Sequence, residues 1–289
     1  MTASHRPAHE MPSLAASLAR LVRAGTRKPG LSGAASIPRI EAYATVAPDR
    51  QRLAAFRDVC AAPPGPYTPL TWPYALVTPL HLHIISAREF PLPALGLVHV
   101  REQIVQTRPI PADAELCFRC RVEGHRPHRR GVEFDLTTEV CLAPGAAVVW
   151  RSTTTALARD RDSRRRATTP TIPTAVSASG ERWSVTEDTG RRYARVSRNF
   201  DPIHLHTLTS RWFGFRRPIV HGMWTVARSV SALHRDAAPP VRLDVRFRSP
   251  LFLPGEVVFS AHGEPGRRAF AVSPAWGGRP HLEGELVRL

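Results

Sequence analysis

The sequence predicts an α+β protein built from two halves that repeat one order of elements. In each half a strand and a helical segment precede a long apolar helix, and four strands punctuated by Pro and Gly follow it. A weak internal sequence similarity supports the repeat, because both halves carry a strand with Val and Arg that is followed by two prolines and a glutamate. The two copies are residues 98–101 with Pro109, Pro111 and Glu115, and residues 241–246 with Pro250, Pro254 and Glu256. We therefore expect two similar halves, each with an antiparallel sheet.

Composition places the boundaries between the predicted segments. A chain of 289 residues suits two domains of about 140 residues each. Residues 1–36 mix Pro, Gly, Ser and Arg and are predicted to form an N-terminal extension. Residues 161–177 lack any apolar period, are charged and then rich in Thr and Pro, and are predicted to be a linker. The first half then spans residues 37–160 and the second half spans residues 178–289.

The first half begins with a predicted strand at residues 37–47 and a helix at residues 48–60. A proline-rich loop is expected at residues 61–74, because Pro and Gly interrupt regular structure. The apolar residues 76–90 then predict a buried helix. Four strands follow, at about 96–107, 114–125, 131–142 and 146–158.

The second half contains two predicted helices next to a polar turn at residues 197–204. Asp201 followed by Pro202 is an N-cap with proline at the first helical position, which predicts a short helix at about 203–213. Apolar residues at three- and four-residue spacing predict a longer helix at about 220–234. Strands are predicted near 181–186 and at about 241–249, 256–263, 267–275 and 280–288.

Charge and hydropathy restrict the class of protein. The formal net charge is +16 and comes almost entirely from arginine, with one dense run at residues 159–166. Such charge reflects either scattered solvated arginines, since only one dense run exists, or attraction to polyanions such as phosphates. No nucleic-acid-binding motif accompanies it, so we do not expect nucleic acid as a partner. No run of 18 apolar residues and no signal-peptide core are present, which predicts a cytoplasmic protein that does not enter a membrane.

The four cysteines do not indicate a metal or redox site. Cys117 and Cys120 form a CxxC pattern inside a predicted strand, where residues three apart point to opposite faces. No second CxxC provides the remaining ligands of a zinc site, and no helix start lowers the pKa of a redox thiol. We therefore expect buried, unreactive thiols and no metal.

Residues 193–227 resemble the hydratase-2 motif of the MaoC-like (R)-specific enoyl-CoA hydratases. The pattern of that family reads approximately Y-x-x-[LV]-S-G-D-x-N-P-[IL]-H, followed by G-F-x-x-[PA]-I-x-H-G-M. The chain agrees with it at Tyr193, Val196, Ser197, Pro202, Ile203, His204, Gly214, Phe215, Pro218, Ile219, His221, Gly222 and Met223. Agreement at so many spaced positions makes the resemblance specific.

The resemblance implies both a fold and an activity. The fold would be a double hotdog, in which each half wraps a curved antiparallel sheet around a long central helix. The reaction would be hydration of trans-2-enoyl thioesters to (R)-3-hydroxyacyl thioesters, or the reverse dehydration, in fatty-acid or polyketide metabolism and without a cofactor. The substrate would be an acyl-CoA or an acyl carrier protein thioester, and the protein would act as a homodimer or a heterodimer. The first half lacks a similar motif turn and is expected to shape the acyl pocket.

The resemblance also assigns roles to individual residues. His204 falls on the catalytic histidine of the family, and the backbone N–H of Gly222 falls where the thioester carbonyl is polarised. Ser197 would support the polar turn. His221 and Met223 flank Gly222 and belong to the substrate-binding segment. Arginines around the motif would meet the phosphates of the substrate; these are Arg195, Arg198, Arg216 and Arg217.

Three motif positions depart from the family pattern, and the first is Arg198, which stands where the family has Gly. Asn199 stands where the family has its catalytic Asp, and Asp201 stands where the family has Asn. An amide orients water but does not deprotonate it, and loss of one general base reduces the rate by about 10²–10⁴. Asp201 could replace the missing base, His204 could work alone with Asn199 positioning water, or the chain could only bind acyl thioesters or support a heterodimer. The position of the Asp201 carboxylate relative to His204 distinguishes these alternatives.

Overall fold

A computed structural model of the protein describes residues 10–13, 15–17, 19, 36–94, 96–159 and 180–289. The predicted linker at 161–177 lies outside these residues. So do nearly all of the predicted extension at 1–36 and most of the basic run at 159–166.

The described part of the first half follows the predicted order of elements. These are β1 (Glu41–Val46), α1 (Arg50–Cys60), α2 (Trp72–Ser86), β2 (Val98–Gln106), β3 (Leu116–His128), β4 (Gly131–Cys141) and β5 (Trp150–Arg159). The carboxylate of Asp49 accepts a hydrogen bond from the backbone N–H of Arg52 at 2.9 Å and so caps the start of α1. Ala61, in the left-handed conformation with φ of 48°, ends α1.

The long apolar helix of the first half starts and stops earlier than predicted. α2 begins at Trp72, so the end of the predicted loop at 61–74 is helical, and it ends at Ser86 rather than at 90. Pro73 lies in the first turn, where proline is compatible with a helix because the N–H that it lacks would have no intrahelical partner. The predicted loop is therefore confirmed for residues 61–71, and only Pro73 belongs to the start of the helix.

The sequence analysis missed one α-helix of the second half, at Thr189–Ser197, and predicted a single helix where the chain forms two short ones. The elements of this half are β6 (Glu181–Val185), α3 (Thr189–Ser197), a 3-10 helix (Pro202–His204), α4 (Thr207–Trp212), α5 (Gly222–Ala232), β7 (Val241–Phe247), β8 (Gly255–Glu264), β9 (Arg267–Pro274) and β10 (Leu282–Arg288). The single helix predicted at 203–213 is wrong, because the backbone at His206 is extended, with φ of −151°. The His206 ring then caps α4 by accepting from the Leu208 N–H at 3.4 Å.

Within the described residues, ten strands form one antiparallel sheet in the order β1-β3-β4-β5-β2-β7-β10-β9-β8-β6. Counted outward from the junction between β2 and β7, the five strands of the second half follow the same order as the five strands of the first half. At this junction Gln103 pairs with Asp244, and the Gln103 amide donates to the Asp244 carboxylate at 2.6 Å. The predicted α+β double hotdog is confirmed, with the sheets of its two halves joined into one.

The central helices bury their side chains against this sheet and join the halves into one core. α2 packs on β1, β3 and β4, and α5 packs on β9 and β10. The indole N–H of Trp224 in α5 donates to the carbonyl of Val59 in α1 at 2.8 Å, a buried bond between the halves. α3 packs against both α1 and α2, which places the motif turn that follows α3 against the first half.

Candidate active site

The motif turn begins where α3 ends. The Ser197 hydroxyl donates to the carbonyl of Tyr193 at 2.8 Å and accepts from the N–H of Asn199 at 3.3 Å. Arg198 then adopts the left-handed conformation, with φ of 54° and ψ of 26°. The family pattern has glycine at this position, and a side chain in this region costs about 1–3 kcal/mol. Ser197 therefore supports the turn, as predicted, and the surrounding contacts hold Arg198 in a conformation suited to glycine.

Asn199 and Asp201 shape the turn through their side chains. The amide oxygen of Asn199 accepts from the N–H of Asp201 at 3.3 Å, and the carboxylate of Asp201 accepts from the N–H of Ile203 at 3.3 Å. Asp201 is thus the predicted N-cap, although of the short 3-10 helix. Asp201 is exposed and Asn199 is half-buried.

His204 is buried with one ring nitrogen committed to the backbone. Its Nδ1 lies 2.8 Å from the carbonyl oxygen of Ile219. Because that oxygen only accepts hydrogen bonds, Nδ1 carries the hydrogen and Nε2 of the neutral ring keeps its lone pair. Burial lowers the pKa of His204, while the negative charge of Asp201 and the bond to Ile219 act in the opposite direction. His204 is therefore a neutral base at pH 7.

His221 stacks on His204 and connects the turn to α5. The ring centroids are 3.7 Å apart, and Nε2 of His221 donates to the carbonyl of Asn199 at 3.0 Å. Its Nδ1 is buried without a hydrogen-bond partner in the described part of the chain. Burial, and then the neighbouring His204, lower the pKa of His221 well below its ordinary value. The Tyr193 ring lies 5.1 Å away on its other side.

Gly222 is the first residue of α5, where backbone N–H groups have no intrahelical partner. A Cβ at this position would lie 2.7 Å from a ring carbon of Phe247, so a larger residue would require the ring or the helix start to shift. An N–H beside a neutral imidazole at a helix start is suited to holding a carbonyl oxygen that becomes negative. Met223, which we predicted to bind substrate, is only 4% exposed and packs in the core.

The predicted phosphate-binding arginines surround the motif on the surface. Arg195, Arg198, Arg216 and Arg217 are all exposed. Arg217 donates to the carbonyl of Pro254 at 3.3 Å and lies over the ring of Phe252, which orients it. The other candidates extend the positive surface along the turn.

The sequence analysis missed the residues that the first half contributes. Arg52 on α1 donates to the carbonyl of Val196 at 2.6 Å and to that of Ala75 at 3.2 Å, so it ties the end of α3 to α2. The His99 ring lies 4.5 Å from the ring of Phe247, which packs against Gly222. No local pattern marks Arg52 or His99.

A buried carboxylate supports His99. Glu102 accepts from the hydroxyl of Thr154 at 2.7 Å and lies 3.0 Å from Nε2 of His99. Its second oxygen is buried and has no partner among the described residues. One feature of the sequence could have identified Glu102. It alternates along β2 with Ile104 and Gln106, so all three side chains lie on the buried face of the strand.

A cavity of about 200 Å³ lies where the turn meets the first half. Its lining is mixed: Arg52, Arg198 and Asp49 contribute charged groups, and apolar side chains lie among them, including Trp72, Leu76, Ala114 and Leu116. We call this space the junction cavity. It contacts the motif turn at Arg198, which directly precedes Asn199.

Three further observations concern metals, thiols and membranes. Among the described residues, no group of three His, Cys, Asp or Glu side chains is placed to hold a metal ion. All four cysteines are described and unpaired; Cys60 and Cys120 are buried as predicted, whereas Cys117 and Cys141 are only half-buried. Burial raises the pKa of Cys120 to about 12. No helix in the described ranges is long and apolar enough to cross a membrane.

Comparison with known proteins agrees with this geometry. The family model for the MaoC like domain matches residues 164–272. The 3-hydroxyacyl-thioester dehydratase X of Mycobacterium tuberculosis is 33% identical over 227 residues, which cover 75% of this chain and 78% of that protein. The crystal structure of HtdX from the same organism aligns with a TM-score of 0.73 at 29% identity, covering 87% of this chain and 100% of that chain. A MaoC-like dehydratase from Phytophthora capsici shares the fold, with a TM-score of 0.66 at 16% identity over 87% of this chain and 96% of its own. The chain belongs to the MaoC-like dehydratase family.

Proposed function

We propose that this protein interconverts trans-2-enoyl thioesters and (R)-3-hydroxyacyl thioesters by adding or removing water. The observation that carries the proposal is the placement of His204. Its Nδ1 bonds to Ile219 and leaves a basic Nε2, and the stacked His221 connects it to the helix start at Gly222. Membership in a dehydratase family and the name of the mycobacterial relative support the same reaction.

The reaction needs two proton transfers and one stabilised oxyanion. In hydration, water adds to C3 and gives up one proton, C2 gains one proton, and the thioester carbonyl carries enolate charge in between. The N–H groups at Gly222 meet that charge. His204 Nε2 takes the proton from water, and the protonated imidazole is the acid available for C2. Dehydration runs the same steps in reverse, and no cofactor takes part.

Asp201 is the carboxylate that we assign to work with His204. Its charge acts on the imidazole strongly enough to oppose the effect of burial on the pKa of His204. One of its oxygens caps the 3-10 helix at a long distance of 3.3 Å, which leaves the other oxygen for water. The Asn199 amide oxygen is engaged by the N–H of Asp201, so its amino group is the part that can orient water or substrate.

The substrate would be held from both halves of the molecule. We propose that Arg198 and Arg217, with their exposed neighbours, bind the phosphates of CoA or of a carrier-protein arm. The acyl chain would lie in the first half, and the reaction would belong to fatty-acid or polyketide metabolism in the cytoplasm. Dimerisation with a second copy or with a related subunit is part of the same proposal.

Hydration of crotonyl-CoA tests the reaction directly. Loss of enoyl-thioester absorbance should be observed, with (R)-3-hydroxybutyryl-CoA as the product. His204→Ala should reduce kcat by about 10²–10⁴, because the base is removed. His262→Ala, at an exposed position on β8, is the matched control and should leave kcat unchanged. Retention of full activity by His204→Ala would overturn the assignment.

A non-catalytic role in binding acyl thioesters, or in supporting a heterodimer, is the second candidate. The observation in its favour is the replacement of the family's catalytic Asp by Asn199, together with the exposed, capping position of Asp201. This candidate would be correct if wild type and Asn199→Asp both bind enoyl thioesters of short, medium and long chain without hydrating them.

A further inference from the structure

The exposed apolar side chains of this protein concentrate around α4. The described residues include eight large apolar side chains that are exposed, and four of these lie between residues 200 and 213. Leu208 and Trp212 are 63% and 82% exposed and are four residues apart, so they share one face of the helix. Phe213 follows directly and is also exposed. We call these three side chains the α4 patch.

The opposite face of α4 is fixed to the motif turn. The hydroxyl of Thr209 donates to the carbonyl of Pro202 in the 3-10 helix at 2.7 Å. Ser210 is fully buried, and its hydroxyl donates to the carbonyl of Thr207 at 3.0 Å. The α4 patch therefore projects from a segment that is folded onto the turn carrying His204.

The charge around the α4 patch is positive. Residues 189–235 contain nine arginines and a single carboxylate, that of Asp201. Three of these arginines flank the patch in the sequence and are exposed: Arg211, Arg216 and Arg217. An apolar face bordered by arginine complements a surface that carries negative charge above an apolar interior. A second copy of this chain would bring like charges together, which opposes self-association through this face.

We propose that the α4 patch docks this protein on an anionic lipid surface. Its Leu, Trp and Phe side chains enter the boundary between headgroups and acyl chains, and the neighbouring arginines meet the lipid phosphates. A stable complex with a globular protein buries about 800 Å² of each partner over about 20–30 residues. The α4 patch offers three apolar side chains on and next to a helix of six residues, which suits insertion into a lipid interface better.

The docking goes beyond the proposed hydration and does not depend on it. It places the motif turn next to the lipid surface, because Thr209 ties α4 to the 3-10 helix that ends at His204. Acyl chains also partition to such a surface, since each buried methylene group adds to membrane binding. The protein lies on the lipid without crossing it.

Flotation of the full-length protein with vesicles tests the docking. Wild type should float with vesicles of equimolar phosphatidylcholine and phosphatidylglycerol and much less with phosphatidylcholine alone, and added salt should weaken the binding. Trp212→Ala should lower the partition constant for the mixed vesicles by about tenfold or more, because a large apolar side chain no longer leaves water. Trp276→Ala is the matched control and should bind as wild type, because Trp276 is 77% exposed but lies outside the patch, after β9.

The contribution of the arginines is measured with the same vesicles. Arg211→Gln should weaken binding to the mixed vesicles by about fivefold and reduce its dependence on salt. Arg279→Gln, at an exposed position after β9, is the control and should bind as wild type. Trp212→Ala and Trp276→Ala keep the same net charge, so adsorption driven only by the charge of the whole molecule would affect neither. Equal binding by these two tryptophan variants would overturn the inference.

Other occupants of the α4 patch give different results. Analytical ultracentrifugation shows whether Trp212→Ala dissociates a dimer, and titration with an acidic holo-acyl carrier protein shows whether it weakens that complex. Either effect, together with no flotation of wild type on the mixed vesicles, would overturn the inference and assign the patch to a protein partner. Failure of the proposed hydration leaves the flotation results unchanged, because binding to vesicles requires no turnover.

Discussion

Asn199 and Asp201 lie in one tight turn, yet their side chains differ in burial and partners. Asn199 is half-buried and its carbonyl holds His221, while Asp201 is exposed and caps the 3-10 helix. Both Asn and Asp are good caps, so exchanging them hardly changes the stability of the turn. The difference between them is chemical, because only the carboxylate accepts a proton at neutral pH.

We predict opposite effects for the two exchanges. Asp201→Asn should reduce kcat for crotonyl-CoA hydration by about 10²–10⁴, because the carboxylate that we assign to work with His204 is lost while the cap is kept. Asn199→Asp should leave kcat unchanged or raise it. Steady-state kinetics on both variants check this, with thermal unfolding to confirm that the cap is intact. A large gain in Asn199→Asp with no loss in Asp201→Asn would show that Asp201 is only a cap.

Three buried histidines predict that the protein loses stability in mild acid. Burial lowers the pKa of His81 to about 3 and also lowers the pKa values of His204 and His221. The unfolded chain therefore binds more protons than the folded chain below the ordinary histidine pKa of 6.5. The contribution of the buried, neutral histidines to the free energy of unfolding is therefore complete above the ordinary histidine pKa. It is lost as the pH falls below that value.

Urea unfolding between about pH 8 and about pH 5 measures this loss. The free energy of unfolding should be flat above the ordinary histidine pKa and should decrease below it. His81→Gln removes one buried titrating group and should make the slope shallower by up to about 1.4 kcal/mol per pH unit. His262→Gln, at an exposed position, should keep the wild-type slope. A slope that is unaffected by His81→Gln would contradict the prediction.

The start of α5 joins the two halves of the molecule at the candidate oxyanion site. Gly222 is in close contact with Phe247 at the end of β7, and Phe247 contacts His99 on β2. Because β2 and β7 form the junction of the sheet, the helix start is supported by strands from both halves. The candidate oxyanion donor is therefore positioned by tertiary packing as well as by its own helix.

Gly222→Ala should impair catalysis through this contact. The added Cβ would lie 2.7 Å from the Phe247 ring, so the ring or the helix start must move, and a shift of about 1 Å can lower the rate by about 10². Phe247→Leu in the same chain should restore part of kcat/KM by making room. Gly65→Ala meets no atom within 4 Å and is the control. No rescue in the double variant would show that the loss has another cause.

The charge of the whole molecule favours an anionic substrate. The net charge is +16, and the four candidate phosphate-binding arginines around the motif are all exposed. Exposed charges interact over about 10 Å at 0.1 M salt and over less at higher salt. The positive surface should therefore contribute to the binding of a phosphate-rich carrier and little to the binding of an uncharged one.

Affinity for decanoyl-CoA should weaken as ionic strength rises. Decanoyl-pantetheine, which lacks the phosphates, should bind with little dependence on salt. Arg217→Gln should reduce the salt dependence for decanoyl-CoA, whereas Arg235→Gln, an exposed control on the loop after α5, should not. Titrations followed by tryptophan fluorescence provide the dissociation constants. Equal salt dependence for both ligands would exclude phosphate contacts.

Local rules were sufficient to predict most of the repeated order of elements, whereas the resemblance to the family identified the motif residues and implied the double hotdog. Asp201 caps its neighbours as predicted, because a cap is formed by residues two or three positions apart. The longer helix with its start at Gly222 follows from apolar spacing that can be read along the chain. The same local rules failed at Pro73 and at His206. There a proline and a histidine serve as helix-start residues that the composition did not distinguish from loop residues.

Only the tertiary structure brought the first half to the site. Arg52 and Val196 are 144 residues apart in sequence, and no cap, period or propensity links them. His99 reaches the ring of Phe247 because β2 pairs with β7, and that pairing depends on how two complete sheets bury their inner faces together. The burial that lowers the pKa of His204 has the same origin. Residue identities along the motif therefore specify the chemical groups, whereas long-range packing decides their protonation and their neighbours.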